Sequence, residues 1–116
     1  MAGEHDPQLL KGVLSLLLVH LLAERESYGY EVVQRLHEIG FPDVAAGTVY
    51  PALARLERTR RLTSRLVPSD EGPARKYYRP TEHGLDDLVA GTAQWTSLVE
   101  AVTTQLSRTL PSMPKG

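Results

Sequence analysis

From Leu85 to Leu106 the apolar or near-apolar residues Leu85, Leu88, Thr92, Trp95, Val99, Val102 and Leu106 recur at alternating intervals of three and four. This is a heptad seam, which predicts one amphipathic helix of about 25 residues. In a chain of 116 residues such a helix runs past the end of any small domain the rest can form. Its apolar stripe must be covered, and the same helix in a second copy is the economical cover.

The rest of the chain is expected to form one domain with its own core. The apolar fraction of 41% and charged fraction of 23% are ordinary for a globular chain. There is no cysteine, hence no disulfide framework, thiolate metal site or cysteine nucleophile, and the cytoplasm is the expected compartment. The longest apolar run, Leu9 to Leu22, is broken by Lys11, Ser15 and His20 and is too short to span a bilayer, so it reads as a buried helix. Glu4 and Asp6 stand where a signal peptide would need positive charge. The net charge of -1 conceals a polarised chain. Eight basic residues between Arg55 and Arg79 face three acidic ones, whereas the other 91 residues hold five basic and eleven acidic groups.

Along the chain, Met1 to Gln8 reads as a loose arm and residues 9–23 as a first helix. Ser27 can cap a second helix over 28–39, with Tyr30, Val33, Leu36 and His37 at helical spacing and Gly40 as its stop. After the Phe41-Pro42-Asp43 turn, Thr48 can cap a third helix in which Pro51 falls in the first turn and Val49, Leu53 and Leu56 form the buried stripe. Residues 62–67 alternate as a strand, the segment 68–73 is rich in turn residues, and 75–79 supplies a second strand: a β-hairpin. Thr81, followed by Glu82, is a good N-cap for the last helix. The tail from Pro111 to Gly116 reads as frayed.

The fold expected is therefore mainly α with a small β-hairpin: a winged helix-turn-helix over 9–80 and a C-terminal dimerisation helix over 81–110. In that geometry the third helix enters the major groove of double-stranded DNA, and the hairpin wing reaches backbone or minor groove. The basic segment coincides with the parts so placed. Candidate DNA contacts are Thr48, Tyr50, Arg55, Arg58, Arg75 and Lys76. Thr48 and Tyr50 could also serve only as a cap and a half-buried ring. Arg55 and Arg58 suit either a guanine edge or a phosphate, with phosphate favoured for Arg58. His83 and Asp87 stand four apart, too few for a metal site, and no cofactor loop, nucleophile elbow or paired catalytic carboxylates point to an enzyme. Docking of an acidic protein by the basic face is the alternative to DNA.

Three stretches carry a resemblance: Tyr28-Gly29-Tyr30-Glu31, the string from Gly47 through Pro51 to Glu57, and Arg75-Lys76-Tyr77-Tyr78 with Thr81-Glu82-His83-Gly84. Together with the apolar first helix, about residues 9–90, they resemble the PadR-like transcriptional regulators. The resemblance implies a homodimeric repressor released from DNA by a small molecule or stress signal; two copies joined through their first and last helices are expected to sit on a palindromic operator. The single short C-terminal helix is similar to a subfamily with members that bind flat aromatic drugs between paired tryptophans. On that ground Trp95, with Val99 beside it, becomes a candidate ligand wall as well as a dimer-core residue. One departure is Arg60-Arg61, where the family usually has glycine and then an apolar residue. It predicts that a left-handed glycine turn is lost or shifted, altering how the wing leaves the third helix.

Overall fold

The computed structural model describes residues 5–112. Five helices and three strands follow in the order α1 (Pro7–Lys11), α2 (Leu14–Glu24), β1 (Ser27–Tyr28), α3 (Gly29–Glu38), α4 (Ala46–Arg58), β2 (Leu62–Ser69), β3 (Gly72–Pro80) and α5 (Glu82–Leu106). Leu18 and Leu22 of α2, Val32 and Leu36 of α3, Val49 and Leu53 of α4 and Leu62 of β2 are buried together as one core. Each such side chain contributes about 1.5–3 kcal/mol through the area it removes from water.

The expected loose arm is in part helical. Met1–Glu4 lie outside the described residues, but Asp6 accepts a hydrogen bond from the Gln8 amide at 2.8 Å and opens α1, with Pro7 in its first turn. The expected first helix is divided at Gly12 and Val13. Glycine is poor in a helix interior, and the chain turns there, with the Val13 amide bonding the Leu10 carbonyl at 2.9 Å.

Ser27 caps no helix. It lies in β1, fully buried, donates to the Arg25 carbonyl at 3.3 Å and accepts from Arg35 Nη1 at 2.9 Å. Short as it is, β1 joins the hairpin as a third strand, in the order β1-β3-β2 with Ser27 opposite Tyr78 and Tyr28 opposite Tyr77. Tyr30 is exposed, and Val32, Val33 and Leu36 form the buried stripe of α3. The hairpin strands are longer than expected, meeting at Ser69 and Gly72, and Pro68 falls at the register shift of an edge strand, where its missing N–H is tolerated.

Helices α3 and α4 end in the same way. Gly40 takes φ 114° after α3, and the Phe41 amide returns to the Leu36 carbonyl at 3.0 Å. After α4 it is Arg60 that takes φ 63°, with the Arg61 amide bonded to the Leu56 carbonyl at 2.8 Å and the Arg60 amide to Glu57 at 3.0 Å. Both are Schellman turns. The left-handed turn expected to be lost without glycine is thus kept, and an arginine bears its strain, because the hydrogen bonds and the sheet beyond fix the path. Arg60→Gly should relieve that strain, partly offset by the freedom glycine gains when unfolded, for a net stabilisation of about 0.5–1 kcal/mol. A rise of about 3–5 °C in the thermal midpoint would be the reading, and an unchanged or lower midpoint would show the turn unstrained.

Helix α5 begins as expected. Thr81 accepts from the Gly84 amide at 3.0 Å, and the first turns of α5 pack through Gly84 on the Arg61 backbone after α4 and through Leu88 and Gly91 on α2 and the core. Every residue from Thr92 to Leu106 is exposed in the single chain, and the molecule extends 65 Å along its longest axis. At 25 residues α5 is about 37 Å long, so its distal half projects as an uncovered rod. Among the described residues no helix is long and apolar enough to cross a membrane.

Candidate nucleic-acid interface

The exposed side of α4 has a centre and two shoulders. Val49, Ala52, Leu53 and Leu56 are buried, which turns Gly47, Pro51, Ala54 and Arg58 outward at intervals of four, three and four. Thr48 and Arg55, two turns apart, share one shoulder, where Arg55 Nη2 lies 3.3 Å from the Ser15 hydroxyl of α2. Tyr50 and Glu57 share the other, beside the hairpin. Thr48 is not the cap expected of it. The helix starts at Ala46 after an Ala45 cap without a side-chain bond, and the Thr48 amide is already paired with the Ala45 carbonyl at 2.9 Å. Pro51 is accordingly the sixth helical residue. The carbonyl its missing N–H leaves unpaired belongs to Gly47 on the exposed side.

Tyr50 is 45% exposed, and its ring edge lies across the backbone of Gly29 at the start of α3. Glu57 joins helix to hairpin. It accepts from Lys76 Nζ at 2.7 Å and from the Ser64 hydroxyl at 2.5 Å, and those two hydrogen bonds hold its carboxyl below the usual range. The same bond with Glu57 raises the Lys76 ammonium. Tyr78, under Lys76, is pushed up chiefly by burial.

Strand alternation separates Arg75 from Lys76. Lys76 and Tyr78 point toward α4, whereas Arg75, Tyr77 and Arg79 occupy the outer face of β3. There the Arg75 guanidinium stacks 4.5 Å over the Tyr28 ring, which meets Tyr77 edge-on at 5.4 Å. Arg65 grips Glu26 with two nitrogens, Nε at 3.0 Å and Nη2 at 2.5 Å, and that contact lowers the Glu26 carboxyl. Of the eight cations in the basic segment, Arg61, Arg65 and Lys76 have carboxylate partners. Among the described residues Arg55, Arg58, Arg60, Arg75 and Arg79 have none, so their charge is free for an external anion. Of these, Arg60 and Arg79 are not among the contacts expected from the sequence, although both belong to its basic segment. Alternation from Arg75 sets Arg79 on the same outer face, and Arg60 is marked in the sequence only as an arginine where the family usually has glycine.

Trp95 and Val99 lie on the projecting half of α5, well removed from α4, and are 43% and 38% exposed. The open stripe is wider than the heptad seam, because Leu98 is exposed beside them. Leu88 at its start is already used against α2. At the same end of α5, Asp87 is taken by Arg61, with His83 Nε2 3.8 Å away.

The family model described as the transcriptional regulator PadR-like family matches residues 17–90. Among solved structures, a PadR-like transcriptional regulator from Bacillus cereus is 34% identical, with a TM-score of 0.79 over 88% of this chain and 99% of that one. A transcriptional regulator from Streptococcus is 36% identical, with a TM-score of 0.78 over 88% and 100% of the two chains. A PadR family regulator from Eggerthella lenta is also 36% identical, with a TM-score of 0.80 over 88% of each. A curated but uncharacterised protein from Lysinibacillus sphaericus is 26% identical over 96 residues, 81% of this chain and 88% of that protein.

Proposed function

The chain belongs to the PadR-like family of transcriptional regulators, and we propose that it acts in the cytoplasm as a homodimeric repressor on a palindromic operator. The observation that carries this reading is the coincidence of unpaired cations with the exposed side of α4 and the hairpin, on a molecule with an uncovered apolar rod at its other end. Two copies joined through α5 and the N-terminal helices would set two α4 helices about one DNA turn, roughly 34 Å, apart. In this reading residues 9–80 are the reading unit and 81–110 the dimerisation helix. Arg55, Arg58 and Arg75 supply phosphate affinity, while Thr48 and Tyr50 offer hydroxyls at the groove edge. Lys76 contributes to the field of the wing and steadies it through Glu57.

A mobility-shift assay with the DNA upstream of the gene tests this directly. Absence of a shift at low salt by an intact dimer would favour an acidic protein partner. Affinity should fall steeply with salt. Arg58→Ala removes one phosphate contact per half-site, so the log–log salt slope should flatten by about two per dimer. Arg75→Ala together with Lys76→Ala should flatten it as well, and an unchanged slope would remove the wing from the interface.

Release by a planar aromatic ligand belongs to the same reading. Trp95 is the sole tryptophan, so its fluorescence reports on the α5 stripe without ambiguity. An acridine-type dye stacked between the two Trp95 rings, with Val99 beneath, should quench that emission and weaken the operator shift. A broad panel of polyaromatic compounds without quenching would sink the ligand site and leave the repressor standing.

A further inference from the structure

Gly29 is buried at the first position of α3, and no left-handed backbone angle calls for glycine there. A β-carbon at this position would lie 2.9 Å from Tyr50 Cζ and 3.1 Å from the Tyr50 hydroxyl, and nearer still to Cε1. Those three atoms are its nearest neighbours, so the space that the missing side chain leaves is filled by one ring from another helix.

The surroundings make this space a fixed seat. Immediately before Gly29, Ser27 and Tyr28 are held to β3 opposite Tyr78 and Tyr77, and the Ser27 hydroxyl is bonded to Arg35. Tyr50 stands on the shoulder of α4 next to the hairpin, above the buried Val49 and Leu53. Its ring is thus set between a helix that cannot shift without opening the core and a backbone anchored in the sheet. The hydroxyl makes no hydrogen bond to protein among the described residues, and the side chain remains 45% exposed.

We propose that Gly29 is a positioning residue for DNA recognition: the bare backbone at the start of α3 seats the Tyr50 ring so that its free hydroxyl is held toward a phosphate of the operator. The proposal rests on the DNA-binding reading above. A methyl group at residue 29 would not break the helix, since alanine is the better helix former. It would drive the ring from its seat about the two side-chain torsions of tyrosine, turning the hydroxyl away while the core stays closed.

The test is a double-mutant cycle on the full-length protein, with operator affinity as the reading. Tyr50→Phe keeps the ring and removes the hydroxyl, and should weaken binding roughly tenfold, the scale of a hydrogen bond to a charged group. Gly29→Ala should weaken it by a similar factor with circular dichroism and dimer mass unchanged. Combined, the two should lose no more than either alone. Losses that multiply to roughly a hundredfold would overturn the proposal, as would a Gly29→Ala protein that binds like the parent. Should Gly29→Ala fail to fold, Gly29→Ala with Tyr50→Ala removes the collision. Recovery of the fold, together with the Tyr50→Phe loss, supports the seat; a double variant that stays unfolded, or Tyr50→Phe binding like the parent, overturns it. If the parent protein does not bind DNA at all, the repressor reading fails first, and the two failures are told apart by that control.

Discussion

Gly84→Ala should destabilise the protein by about 3 kcal/mol, although alanine is intrinsically the better helix residue by about 1 kcal/mol. The added β-carbon would lie 2.9 Å from the carbonyl carbon of Arg61 and nearer still to its oxygen. Both are backbone atoms and have no side-chain torsion by which to retreat. That carbonyl already accepts the Thr81 amide at 3.0 Å, while the Thr81 hydroxyl donates to Arg60 at 2.6 Å and accepts from Gly84 at 3.0 Å. A methyl group would lift the start of α5 off the turn after α4 and loosen all three bonds. Overpacking against fixed backbone, at the upper end of about 1–3 kcal/mol, and a lost cap of about 1 kcal/mol together exceed the gain in propensity by about 3 kcal/mol. The thermal midpoint should fall by about 10–15 °C. At Gly91 the same substitution should cost much less, because the neighbour at 2.8 Å is the Leu16 Cδ1 methyl, the end of a flexible side chain. If Gly84→Ala melts within 2 °C of the parent, α5 is not clamped at this point.

Val99→Asp should turn the dimer into a monomer and reduce operator affinity by more than about a hundredfold. Trp95, Leu98, Val99, Val102 and Leu106 are all exposed on the projecting half of α5, an apolar stripe that a second copy would bury. A carboxylate in its middle would have to be buried without a partner. Once the copies separate, each half-site must be bound independently. The effective concentration linking the two reading heads, worth about 10²–10⁴ in affinity, is then lost. Sedimentation equilibrium and a mobility shift on the same sample check both halves. A Val99→Asp protein that remains dimeric would show that the stripe is covered in some other way. Since Val99 lies far from α4 and the hairpin, a monomer should keep weak, non-specific binding driven by phosphate charge.

Legibility in the sequence followed the range of the physics. The Thr81 cap, the Gly40 stop, the long final helix and the polarised charge all depend on residues within a few turns of one another, and all are found as expected. The misreadings have different origins. Ser27 carries a capping side chain, but its hydroxyl is used by Arg35 and its backbone by β3, a strand some fifty residues further on. Thr48 looks like a cap before Val49, yet helix α4 begins two residues before Thr48, where Val44 is buried in the core and Ala46 packs against it, and this tertiary packing overrides the local signal. Arg60 breaks the glycine rule and still turns left-handed, since hydrogen bonds on both sides fix the path and bear about 1 kcal/mol of strain.

The candidate interface divides along the same line. The residue types, the concentration of positive charge between Arg55 and Arg79 and the need to cover one long stripe all follow from the chain alone, because periodicity and charge balance are properties of a linear string. Which of those charges are free is set by the folded packing. Lys76 meets Glu57, Arg65 meets Glu26 and Arg61 meets Asp87 across 19, 39 and 26 residues. Each pairing exists only where distant segments are brought together: the hairpin with α4, the hairpin with the link before β1, and the turn after α4 with α5. The seam divided in the same way: Leu88 went to the core of the same chain, whereas Leu85 and everything from Thr92 onward stayed open. An ion pair or an apolar contact depends on distance in space, and the packing of the core, which brings distant segments together, sets that distance.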